Sequence, residues 1–180
     1  MQANRLTAQT LERFFAALAE RDIDAMAQCY AYGAHFEDPV FELQGHREIM
    51  GMWSLLFERR SPLTDTWTLD FHSLHTLHNR GSARWEPTFL YRPTGRVVHN
   101  IVSSQFSFDE DGLITLQRDN FDFWRWARQA YGFVGLMMGW TPLLWDQARA
   151  QADTSLQEML ARLHQPAPMM VQPLPPPGPG

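Results

Sequence analysis

The chain has 180 residues, 44% of them hydrophobic and 13% aromatic, which is material for one compact core and too little length for a second full domain. Its 15 basic and 20 acidic side chains leave a net charge of −5 with no basic stripe, which excludes a nucleic-acid partner held by phosphate neutralisation. The amino-terminal stretch lacks the continuous apolar core of a signal peptide, and the single cysteine, Cys29, has no intrachain partner, so a cytoplasmic protein is expected.

Leu6, Leu11, Phe14, Phe15 and Leu18 recur at helical spacing, with Thr7 or Thr10 available as a cap, and predict a first helix. A second, shorter helix is expected from Asp22 to about Tyr30, with Cys29 packed inside it. The segment HFEDPV follows. Its Asp38 has two readings, a turn residue accepting nearby backbone N–H groups or a carboxylate facing a pocket. A third helix begins near Gly45, carries Ile49, Met50, Trp53, Leu56 and Phe57, and ends at Arg59-Arg60-Ser61-Pro62.

From Thr64 the chain turns β-rich, with turn signals at 78–81, 92–95 and 109–112, and four antiparallel strands joined as a meander are expected. Helices followed by a curved antiparallel sheet make an α+β domain in which the helices cover the apolar sheet face and a pocket stays at the open end. Period-two geometry puts Arg84 and Glu86 on one strand face. If that face points inward, the arginine bridges two carboxylates; if Trp85, Phe89 and Tyr91 face the core instead, the pair is solvated. Asn100 falls in register with Val98, Val102, Ser104 and Phe106 and is expected to point into the same pocket. The run Leu113–Tyr131 reads as strand-like and aromatic, yet it holds Asp119 and Asp122. A carboxylate facing such a core must find a partner or have its pKa raised. His72, His75 and His78 fit no recognised zinc spacing, and neither metal nor cofactor is expected.

Residues 131–145, YGFVGLMMGWTPLLW, are uncharged and apolar but fall short of a membrane span. They are expected to pack over the pocket mouth or at a dimer interface, with Gly132, Gly135 and Gly139 allowing close backbone approach; a membrane-surface role is the alternative. Asp146–His164 reads as an amphipathic helix, and the proline-rich end as an extended or disordered tail. The expected organisation is therefore a domain over 1–130, a helical extension over 131–164 and a tail over 165–180.

Over roughly residues 5–130 the chain resembles the nuclear transport factor 2-like superfamily, which includes SnoaL-like cyclases, ketosteroid isomerases and limonene-epoxide hydrolases. The carriers are FFAALAERDIDAMAQCYAYGAHFEDPV, then GHREI, the PTGR hairpin and FSFDEDGLITLQRDNFD. The resemblance implies a cone-shaped roll of helices on a curved sheet and homodimers formed across that sheet. Asp38 matches the proton-shuttling aspartate of the ketosteroid isomerases, but Phe14 and Ser104 stand where their oxyanion-hole tyrosine and aspartic acid would be. Arg118-Asp119-Asn120-Phe121-Asp122 matches the epoxide hydrolases' RDxFD segment, with Asp119 as base. Arg84-Trp85-Glu86 resembles their Arg-x-Asp, and Phe36 and Asp38 replace their water-positioning tyrosine and asparagine.

The combined expectation is a small-molecule acid/base enzyme, hydrolase or isomerase, in which Asp119 deprotonates water, Glu86 protonates the leaving oxygen and Arg84 holds both. Trp53, Phe57, Phe106, Phe121, Phe36 and Asn100 would line a pocket for a small hydrophobic, ring-bearing molecule. The alternative is a non-catalytic ligand-binding or protein-interaction domain of the same fold.

Overall fold

The computed structural model describes residues 2–58, 66–139 and 141–164. Helix α1 (Gln2–Glu20) buries Leu11, Phe14, Phe15 and Leu18 along one stripe, as their spacing requires. Asp22 caps the short α2 (Ile23–Ala27), its carboxylate accepting the Ala25 N–H at 2.9 Å. The second helix is shorter than expected because Tyr30 already opens a strand, β1 (Tyr30–Glu37), in which Ala34 and Phe36 point inward and His35 outward. β2 (Glu42–Gln44) pairs back on β1, and Gly45, at φ 83°, turns the chain into α3 (His46–Phe57). The expected end of this helix at Arg59–Pro62 lies outside the described residues.

Five further strands follow: β3 (Thr68–Leu77), β4 (Arg80–Tyr91), β5 (Arg96–His99), β6 (Val102–Phe108) and β7 (Ile114–Asn120). The sheet order is β2-β1-β7-β6-β4-β3, with β5 also on β4. The expected four-stranded meander is thus corrected to a seven-stranded sheet. β1 and β2, from the helical half of the sequence, join it through a parallel β1–β7 pairing that no local pattern announces. Strand β4 pairs with β6 along its first half and with β5 along its second, and Asn100 and Ile101 mark the break between those two partners.

Helices α1 and α3 cover one sheet face with aromatic rings. Phe14 meets Phe15, Tyr30, Trp53 and Phe106 edge-on at centroid distances of 5.2–6.1 Å, and Trp85 of β4 touches Phe15 and Trp53.

The strand-like reading of Leu113–Tyr131 holds only to Asn120. Asp122 ends the strand by capping α4 (Phe123–Tyr131), accepting the Arg125 N–H at 2.9 Å. After α5 (Phe133–Met138), α6 (Pro142–His164) runs back over the molecule. Its Leu144 and Ala148 join Val98, Phe123 and Trp126 in a second apolar cluster, while Leu156 and Leu160 seat on Gly51 of α3. The proline-rich tail expected over 165–180 lies outside the described residues.

Candidate active site

Asp119 sits on the inward face of β7 and is only 6% exposed. Ser104, directly across the ladder on β6, donates its Oγ–H to Oδ1 at 2.5 Å. Gln117, two residues earlier on the same face, spans both carboxylate oxygens with its amide NH2 at 3.0 Å. Each donor is held from behind. The Trp85 indole N–H donates to Ser104 Oγ at 2.7 Å, and the Trp53 indole N–H donates to Tyr30 Oη at 3.3 Å, which in turn donates to Gln117 Oε1 at 2.5 Å. An indole N–H can only donate, so it sets the direction of every bond behind it, and both chains end by pointing hydrogen at Asp119.

Burial dominates the electrostatics and pushes the Asp119 pKa up to about 7, against the opposing pull of the Ser104 and Gln117 hydrogen bonds; the charge of Asp38 raises it further. Asp38 lies in the turn after β1, where its Oδ1 accepts the backbone N–H groups of Val40 at 2.7 Å and Phe41 at 2.6 Å. The residue is half-buried, and desolvation raises its pKa to about 6, opposed by those two N–H groups and by Arg149. Arg149, on α6, also donates to the Pro39 carbonyl at 2.9 Å, so the helical extension is tied to this turn. Asp38 is thus a turn acceptor, and its charge acts on Asp119. Both carboxyls are pushed toward neutrality, Asp38 to about 6 and Asp119 to about 7.

A sequence profile of the SnoaL-like domain matches residues 11–117, more than half of the chain. The protein belongs to the SnoaL-like family. Among solved structures this SnoaL-like protein is similar to an M. tuberculosis LEH-like epoxide hydrolase, at 22% identity and a TM-score of 0.57, over 78% of this chain and 96% of that one. It is also similar to the epoxide hydrolase/cyclase-like enzyme SalBIII of pyran ring formation in polyether salinomycin (18% identity, TM-score 0.53, 68% and 95% covered). A third is a proposed ketosteroid isomerase from Kribbella flavida (15% identity, TM-score 0.52, 66% and 79% covered). At such identities the likeness is one of fold. None of the curated proteins matches the sequence.

Of the residues singled out from the sequence of this SnoaL-like protein, Asp119 and Asp38 are both carboxyls with raised pKa, the charge of Asp38 acting on Asp119, and the proposed arginine clamp does not form. Ala83, Trp85 and Pro87 are the buried residues of β4, which turns Arg84 and Glu86 to the outer face. Arg84 is exposed, and Glu86 pairs with His99 Nε2 at 3.2 Å. The strand faces the core with its tryptophan because burying an indole gains far more than burying an ion pair. Asn100 is buried, its Oδ1 accepting the Ile101 N–H at 3.1 Å at the strand break. Phe36, Trp53 and Phe106 are buried in the aromatic core, and Phe57 stacks on Trp53 at 5.9 Å. Phe121, half-buried, touches both apolar clusters.

The partners of Asp119 were missed, although the period of two contained them. Gln117 is two residues from Asp119 on one strand, and Ser104 alternates with Val102 and Phe106 on a buried face. An open groove of about 390 Å³ between α3 and α6, lined by Phe57, Glu58, Met159 and Arg162 among others, includes none of these groups.

Proposed function

We propose that Asp119 and Asp38 are the working pair of an acid/base enzyme of the hydrolase or isomerase class that acts on a small hydrophobic molecule. The observation that carries this reading is Asp119 itself: a buried carboxyl at the meeting point of two donor chains, with a proton affinity near neutrality. Between about pH 6 and about pH 7, Asp38 is ionised and Asp119 protonated, so Asp38 serves as base and Asp119 as acid; above that window Asp119 becomes a base in its turn. Arg84 and Glu86 take no part. Phe36, Trp53 and Phe106 keep the surroundings apolar, which suits a hydrophobic substrate. The fold's use by proteins named as epoxide hydrolase, cyclase-like enzyme and ketosteroid isomerase supports the class.

The test is turnover of small cyclic epoxides, enones and lactones by the wild type, Asp119→Asn and Asp38→Asn across pH. We expect a loss of about 10²–10⁴-fold in Asp119→Asn and a rate profile in the wild type with limbs near the two titrations. A second reading, ligand binding without turnover, is favoured by one observation: the carboxylate is 6% exposed and its hydrogen bonds are supplied from within the protein. Equal binding of the panel by wild type and Asp119→Asn with no product from either would select it.

A further inference from the structure

Between Tyr131 and Trp145 the chain carries no charge, and α5 with the first turn of α6 turns much of this stretch outward. Phe133 is 76% exposed, Val134 51%, Leu136 45% and Leu143 64%. Four large apolar side chains exposed on so short a segment present apolar surface that water does not favour. Its rim is aromatic and basic. Arg128 lies 4.3 Å over the ring of Trp124, whose N–H donates to the Leu136 carbonyl, and Arg149 lies 5.8 Å over Trp145. The Arg96 guanidinium lies against Gly132 at the start of α5. Asp146 is the acid adjoining Trp145. Arg149 is engaged with the Asp38 turn, which leaves Arg96 and Arg128 as the cations of the rim beside α5, on a chain whose net charge is −5.

We infer that this face docks on an anionic lipid surface, with Phe133, Leu136 and Leu143 entering the acyl boundary and Arg96 and Arg128 meeting the headgroups. Indole rings sit well at such a boundary, and arginine stems lie along apolar surface while their guanidinium groups stay in the polar layer. A second copy of this chain is the competing occupant, and charge disfavours it: an isologous pairing brings the same arginine-rich rims together, whereas an anionic surface neutralises them. No described helix is long and apolar enough to cross a membrane, so the contact is peripheral. Behind the patch, rings continue inward from Trp145 to Phe123 at 4.7 Å, to Trp126 at 5.2 Å and to Phe121 at 6.5 Å, two residues beyond Asp119. The docking inference stands whether or not Asp119 turns anything over.

Vesicle flotation tests it, with the full chain mixed either with phosphatidylcholine alone or with equal parts phosphatidylcholine and phosphatidylglycerol, alongside sedimentation velocity without lipid. The wild type is expected to float with the anionic vesicles, to float less with the neutral ones, and to be released in part by salt. Phe133→Ser/Leu136→Ser, folded as judged by circular dichroism, should stay at the bottom. Arg96→Gln/Arg128→Gln should partition about thirty-fold more weakly, from roughly fivefold per arginine. Failure of the wild type to float, or equal flotation of the Ser variant, overturns the inference. So does a lipid-free dimer that the Ser variant converts to monomer, which would give the face to a second copy.

Discussion

Asp119 concentrates the cost of the site in one side chain. Its carboxyl binds a proton up to about pH 7 in the folded protein but only to about pH 4 when unfolded, so over that window the native state holds more protons. Stability therefore falls as pH rises from about 4 to about 7 and stays at the lower level above it, an effect on the order of 4 kcal/mol at most; Asp38 adds a smaller slope of the same sign. Asp119→Asn should flatten this decline in a series of urea melts, and a decline equal to the wild type's would contradict the burial argument. Ser104→Ala removes one donor and leaves the Trp85 N–H facing a methyl group. We expect a loss of about 1–3 kcal/mol and, where the carboxyl is followed by carbon NMR, a further rise in its titration midpoint.

At the scale of elements, Gly135 decides how α5 sits. A Cβ at that position would lie 1.9 Å from the Ala127 carbonyl oxygen, a backbone atom that cannot step aside. Gly135→Ala should therefore separate α5 from α4, seen as faster amide exchange from 131 to 139 with the sheet amides unchanged. Asp122→Ala removes only the cap of α4 and should cost about 1 kcal/mol in thermal melts. These helices also mark where the sequence was legible and where it was not. The stripes of α1 and α3 and the hairpin turns were plain because they follow from local periodicity and turn chemistry. Asp122 looked like half of an acidic pair because a cap and a strand-borne acid are the same letter; only the switch from period two to helix at Phe123 separates them. Strand β1 was hidden because its partner β7 lies some 80 residues away and pairs in parallel, without a connecting turn to announce it.

For the whole molecule, two apolar clusters meet through Phe121, and α6 reaches both. Leu160 carries the contact with α3, and Leu160→Ala should cost about 2–5 kcal/mol while the melt remains a single transition; two transitions would mean that the extension unfolds by itself. The same sharing explains why the candidate site was half legible. Asp119 could be picked out as a charge among rings, but whether Arg84 or Trp85 faced it depended on which residue of β4 the helices covered. That choice belongs to the packing of α1 and α3, not to β4's own alternating pattern.

The indole-anchored chains behind Asp119 carry one more consequence. Trp53 and Trp85 cannot accept a proton, so neither chain is a conduit: a hydrogen that reaches the carboxyl has no way onward through Tyr30, Gln117 or Ser104. It leaves by the edge through which it came. Deuterium exchange at the carboxyl is then governed by access to that edge alone.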